Sequence, residues 1–117
     1  MFVTIASENL DALLVFYAQL LGITPTVHHS DRYGEFCLPG FKLVFFTPQE
    51  SQRSEFLPVD KSAFSLCLEV GDLDAAIAQL TAIGYPPSGE ILLTSHGREI
   101  YAYDPEGNRL IVHEARS

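Results

Sequence analysis

Two hydrophobic rhythms follow one another along the chain, and their order predicts its elements. Residues 2–6 form a short apolar, β-rich run that stops at Ser7-Glu8-Asn9. There a Ser or Asn side chain can accept the free amides of a helix, and Asp11 suits the positive end of the helix dipole. Leu10, Leu13, Leu14, Tyr17, Leu20 and Leu21 then recur at helical spacing, and Gly22 supplies a stop. Residues 25–29, 33–38 and 41–47 read as three strands, separated by Ser30-Asp31-Arg32 and by Pro39-Gly40. The first half is therefore β-α-β-β-β.

Residues 48–62 are polar with a proline near each end, which is the composition of a linker, and Phe56 and Leu57 within them are expected to hold it to a surface. The pattern then repeats. Residues 63–70 read as a strand, Gly71-Asp72 as a helix start, and Leu73, Ile77 and Leu80 as one side of a helix over residues 73–83 that Gly84 ends. A strand at residues 90–95 and a hairpin over residues 97–114 complete a second β-α-β-β-β. In that hairpin Asp104-Pro105-Glu106-Gly107 has turn chemistry, since Asp bonds the backbone ahead, Pro presets φ and Gly accepts a positive φ. Ile100, Ala102, Leu110 and Val112 alternate with Glu99, Tyr101, Tyr103, Arg109, Ile111 and His113. One face of the hairpin suits a core and the other carries hydroxyls, charges and an imidazole.

Composition narrows the function classes. The 117 residues fit one domain with a sizeable core, and 47% hydrophobic with 19% charged residues is a globular balance. A net charge of −8 with only seven Lys and Arg argues against nucleic acid, because phosphate contacts need clustered cations. Cys37 and Cys67 stand apart with no C-x-x-C, which reads as two reduced thiols. The longest apolar run, residues 12–18, is too short to span a bilayer, and no signal peptide is read, so a cytoplasmic protein is expected.

The opening N-L-D-A-x-x-x-F-Y-x-x-x-L-G-I at residues 9–23, the V-x-D-L-D-A-A at residues 70–76 and the closing Y-x-Y-D-P-E-G-N-R-L at residues 101–110 resemble the vicinal oxygen chelate superfamily. That superfamily holds glyoxalases, extradiol dioxygenases, and bleomycin- and fosfomycin-resistance proteins. The resemblance covers nearly the whole chain. It implies an α+β fold of two tandem βαβββ modules, residues 1–47 and 63–117 of a single domain, forming a curved mixed sheet cup with the helices outside and the ligand within. It also implies a homodimer, sometimes made by exchanging modules across a linker.

Enzymes of the superfamily hold a divalent metal through His, Gln or Glu on the first strand of each module and Glu or His on the fourth. Counting from the matched motifs puts those positions at Phe2, near Val44, at Ser65 and at Ile111, none a normal ligand. A shift of one residue brings in Val3, Leu43 or Phe45, Leu66, and Leu110 or Val112, which are no better. A slip of two brings in Cys67 and His113, with Glu69 a step further, and leaves open a displaced site. The expectation is a protein with no metal and no cofactor, closest in character to a metal-free bleomycin-resistance-like member, that binds or sequesters a small organic molecule. The alternative is a lyase, isomerase or dioxygenase whose site is displaced or works without metal, and a third reading is a module kept for protein association.

On the cup-facing parity the ligand-binding candidates are Thr4, Phe46, Cys67, Glu69, Glu99, Tyr101, Tyr103, Arg109 and His113, with Lys42 beside them. Aromatic faces orient a flat molecule, and Glu69 or Glu99 can face a cationic group. His113 beside Glu69 or Glu99 is the catalytic candidate, because imidazole titrates near neutrality and a carboxylate would orient it. Cys67 is the weaker nucleophile, as no base is written beside it. His28 and His29 are neighbours on a strand and point to opposite faces, and His96 beside Gly97 reads as a turn residue.

Overall fold

The computed structural model describes residues 1–57 and 62–116, in two compact units, Met1–Lys61 and Ser62–Ser117. Each unit has the βαβββ order read from the sequence, so the fold is α+β with two four-stranded mixed sheets.

In the first unit β1 (Val3–Ala6), α1 (Leu10–Leu21), β2 (Val27–His29), β3 (Tyr33–Leu38) and β4 (Phe41–Phe46) follow one another. The sheet order is β1-β4-β3-β2, with β1 parallel to β4 and the other pairs antiparallel. Asn9 caps α1 by accepting the Ala12 amide, and Gly22 ends it in the left-handed region at φ 70°, donating to the Ala18 carbonyl. The helix buries Leu10, Leu13, Leu14, Phe16 and Tyr17. Phe16 widens the expected stripe, while Leu20 and Leu21 are only half-buried. Tyr17 stacks on Phe45 at 4.9 Å, and Phe36 meets Phe45 edge-on at 6.2 Å.

The Leu14 side chain of α1 packs directly over Gly34, where an added Cβ would lie 2.6 Å from Leu14 Cδ2. Gly34→Ala is accordingly expected to cost about 1–3 kcal/mol in urea denaturation, as overpacking of a filled core does, and Leu14→Val in the same chain should recover part of it.

The stretch read as a linker is structured where it is described. Glu50–Gln52 is a 3₁₀ turn and Arg53–Phe56 a short helix, α2. Phe56 packs edge-on against Phe46 at 5.1 Å and Arg53 pairs with Glu8, so this part is fastened to the first unit. Linker residues 58–61 lie outside the described residues.

The second unit contains β5 (Leu66–Val70), α3 (Leu73–Ala82), β6 (Leu92–Thr94), β7 (Gly97–Tyr103) and β8 (Arg109–Ala115), in sheet order β5-β8-β7-β6 with β5 parallel to β8. Asp72 caps α3 by accepting the Ala75 amide. The helix lies against β8 and buries Leu73, Ala76 and Leu80, with Ala76 rather than Ile77 completing the stripe. On the sheet, Ile100, Ala102, Leu110 and Val112 are buried as their alternation predicts.

Glu114 ties helix to sheet. Its carboxylate accepts the Leu73 amide at 2.8 Å and the Arg98 guanidinium at 3.1 and 3.2 Å, and Arg98 also lies 3.6 Å from Asp74. The Arg98 hydrogen bonds, then the Leu73 amide, hold the Glu114 carboxyl below its ordinary 4.5. A depressed folded-state value stabilises the fold above pH 4.5, and that contribution is lost as pH falls through the folded value. The stability difference between the wild type and Glu114→Gln should therefore be present at neutral pH and shrink in acid, as read by urea midpoints across pH.

Candidate functional site

Strand alternation and register build one polar surface in the second unit. The face of the sheet that carries no core residues presents rows that run across β5, β8 and β7. Glu69 pairs with His113, which pairs with Glu99, and Cys67 pairs with Ile111, which pairs with Tyr101. In the last row Arg109 pairs with Tyr103 across β7 and bonds Ser65, the residue before β5. The side chains of one row share a face because paired residues in a sheet point the same way. Cys67, Glu69, Glu99, Tyr101, Tyr103, Arg109 and His113 are thus brought onto one surface.

Each row has its own chemistry. Both Glu69 carboxylate oxygens lie 3.0 Å from His113 Nδ1. When Nδ1 carries the proton it donates to Glu69, leaving the Nε2 lone pair available to accept one. The His113 side chain is 13% exposed while Glu69 is 67% exposed, so the imidazole is held by a carboxylate that reaches solvent.

Cys67 is exposed, but burial of its thiol, followed by the charges of Glu69 and Glu99, raises its pKa above the ordinary 9.0. It stays a neutral thiol near pH 7 and is a poor nucleophile. Removing one of those charges in Glu99→Gln should lower the thiol pKa and speed alkylation of Cys67 by iodoacetamide a few-fold at mildly alkaline pH, followed in a Cys37→Ser background.

Arg109 is fixed at the far end of the face, donating from Nε to Ser65 Oγ at 2.7 Å and from Nη2 to the Ser62 carbonyl at 2.8 Å.

Thr4 and Phe46 lie in the first unit, on the face of its sheet turned away from α1, where Thr4 pairs with Val44 and Phe46 pairs with Tyr33. The same face brings Tyr33 and Glu35, which the sequence pattern did not single out, together with Lys42 and Phe2. Glu35 accepts a hydrogen bond from the Tyr33 hydroxyl and lies 3.6 Å from Lys42 Nζ, which sits 4.8 Å over the Phe2 ring. Tyr33, Glu35 and Cys37 alternate with the buried or close-packed Gly34 and Phe36 along β3, and that alternation was the available signal. The contact with Lys42 additionally needs the β3–β4 register. His28 faces Asp11 at 3.8 Å while His29 stacks on Tyr33, so the two histidines do diverge. His96 accepts the Arg116 amide at its carbonyl, beside the turn at Gly97.

The positions where the resemblance would put metal ligands are poor in donors. Phe2, Val44 and Ile111 offer no lone pair, and the Ser65 hydroxyl already accepts the Arg109 guanidinium. The displaced alternative brings Glu69 onto His113, but among the described residues no group of three or more His, Cys, Asp or Glu side chains is arranged to hold a metal ion. The donor set does not fit a divalent centre of the usual kind.

Residues 2–113 match the family model of the Glyoxalase-like domain, and the chain belongs to that family, within the vicinal oxygen chelate superfamily. No curated protein matches the sequence. Among solved structures the chain is similar to a protein from Agrobacterium tumefaciens determined in solution, with 25% identity, a TM-score of 0.81, and coverage of 99% of this chain and 96% of that one. It is similar in fold to a glyoxalase/bleomycin resistance protein/dioxygenase family enzyme from Burkholderia phytofirmans, at 17% identity and a TM-score of 0.83, covering 98% of this chain and 97% of that one. Lactoylglutathione lyase from Agrobacterium tumefaciens has the same fold at 21% identity and a TM-score of 0.74, with 97% and 91% covered. Among the described residues no helix is long and apolar enough to cross a membrane.

Proposed function

We propose that this chain binds a small organic molecule on the open face of its second sheet without using a metal ion. The observation that carries the reading is the set of three rows across β5, β8 and β7, which combine aromatic rings, an oriented imidazole, two carboxylates and a fixed guanidinium. A surface of this kind fixes a ligand's orientation through a few polar groups and supplies contact area through its rings. The poverty of metal donors at Phe2, Val44, Ser65 and Ile111 supports the metal-independent part of the proposal. A cytoplasmic homodimer belongs to the same reading, and sedimentation equilibrium of the purified chain tests the dimer.

A thermal-shift screen of aromatic drugs and polar metabolites tests the binding. Compounds that bind only the folded chain raise its melting temperature, by the equivalent of about 2.7 kcal/mol at a hundredfold excess over Kd. The expected hit keeps its shift in the presence of EDTA and loses it in Tyr101→Ala. Silence of every compound would favour a module kept for association.

The Glu69–His113 contact favours a second reading, in which His113 removes or returns a proton as a lyase or isomerase base. Turnover of a hit that disappears in His113→Gln, with the melting shift kept, would select it.

A further inference from the structure

The open face of the second sheet carries a cation whose place is fixed and whose charge meets no carboxylate among the described residues. Arg109 is half-buried and is held by two neutral acceptors, the Ser65 hydroxyl and the Ser62 carbonyl. A guanidinium has about five N–H donors, and among the described residues only the Nε and Nη2 groups of Arg109 find side-chain or backbone acceptors. Among the described residues no carboxylate lies within ion-pair distance of Arg109, whereas Arg53 pairs with Glu8 and Arg98 with Glu114 and Asp74. An immobilised guanidinium with free parallel donors matches a carboxylate, which it can engage through two bonds at little further cost in side-chain entropy.

The rest of the face gives this cation a direction. Tyr103 is its neighbour across β7, and the next outward residue along β8 is Ile111, flanked by Cys67 and Tyr101. Beyond it stands His113 between Glu69 and Glu99. Each step of two residues along a strand is about 6.6 Å, so the carboxylate row lies about 13 Å from Arg109 along the backbone. The surface therefore runs from a guanidinium, over an apolar and aromatic middle, to a pair of carboxylates.

We propose that Arg109 anchors the carboxylate of a small zwitterionic ligand whose apolar body lies over Ile111 and Tyr101 and whose amine faces Glu69 and Glu99. The proposal rests on the ligand-binding reading above and names its substrate class. A simple anion meets attraction at Arg109 but repulsion from Glu69, Glu99 and a chain of net charge −8. A simple cation leaves the guanidinium unanswered. A molecule carrying both charges satisfies both ends.

The test is a titration of nitrogen-labelled protein with para-aminomethylbenzoate, benzoate and benzylamine, followed by NMR at the Arg109 Nε–H and at the amides of Ile111 and Tyr101. The expected result is that para-aminomethylbenzoate shifts all three signals and binds about tenfold tighter than either singly charged probe, the scale of one added charge-assisted hydrogen bond. Arg109→Gln should remove its advantage over benzylamine. Arg109→Lys, which keeps the charge without the fork, should retain only part of it, and the unliganded spectrum of each variant reports whether it is folded. If benzylamine binds as tightly while the Arg109 signal stays still, the carboxylate anchor is wrong although the face still binds ligands. If none of the probes moves the Arg109 signal at tens of millimolar, the anchor is overturned, and the broader screen decides the binding reading separately.

Discussion

Asp104→Ala is expected to destabilise the second unit by about 3 kcal/mol, with a melting temperature lower by about 10 °C. The Asp104 side chain is buried, at 3% exposure, and serves as the hub of the β7–β8 turn. Its Oδ1 accepts the amides of Glu106 and Asn108, both at 2.9 Å, and Oδ2 accepts the Asn108 side-chain amide at 2.8 Å. Truncation strips the acceptor from three N–H groups at once, and donors left without a partner cost more than the bonds contributed. Asp104→Asn keeps one acceptor oxygen and should lose roughly half as much. The turn also sets the register that places Tyr103 opposite Arg109, so the alanine variant should lose ligand-induced melting shifts even where it is still folded.

Gly97→Ala is expected to be as damaging, at about 3 kcal/mol or more, because backbone strain and steric overlap act together. Gly97 has φ 149°, where an L side chain is strained, and a Cβ there would lie 2.0 Å from the Glu114 carbonyl oxygen and 3.0 Å from the Arg116 amide nitrogen. Neither neighbour is a flexible side-chain end, so the strand pair itself must move. Gly89 has open space around its missing Cβ, and Gly89→Ala should be nearly neutral in the same urea titration. Equal effects at the two sites would show that the close approach of β7 to β8 at Gly97 is not what the glycine is needed for.

Much of this architecture was legible in residue order, because alternation is a direct image of a sheet with one buried face. Ile100, Ala102, Leu110 and Val112 announced the core side of the hairpin, and the residues between them announced the other. Asn9, Gly22 and Asp72 announced helix ends, since their side chains or backbone freedom answer unpaired helix groups. What alternation cannot carry is register. Which of Glu69 and Glu99 bonds His113, that Arg109 bonds Ser65, and that Lys42 reaches Glu35 depend on which residues of different strands come level. The helical turns within the polar stretch after Pro48 were not legible for a different reason. These turns, at residues 50–56, bury no residue, so no apolar stripe marks them, and the Phe56 ring on Phe46 and the Arg53–Glu8 pair hold them.

The families of chemistry open to this fold divide at the question of a metal, and the metal-free function proposed above draws its support from the lack of good donors at Phe2, Val44, Ser65 and Ile111. The direct measurement is elemental analysis of protein purified without chelators and supplied with zinc, nickel, manganese and iron during expression. A metal-independent binding protein should carry far less than one divalent transition-metal ion per chain, unchanged by His113→Ala. One tightly held ion per chain that is lost in His113→Ala would contradict the metal-independent reading.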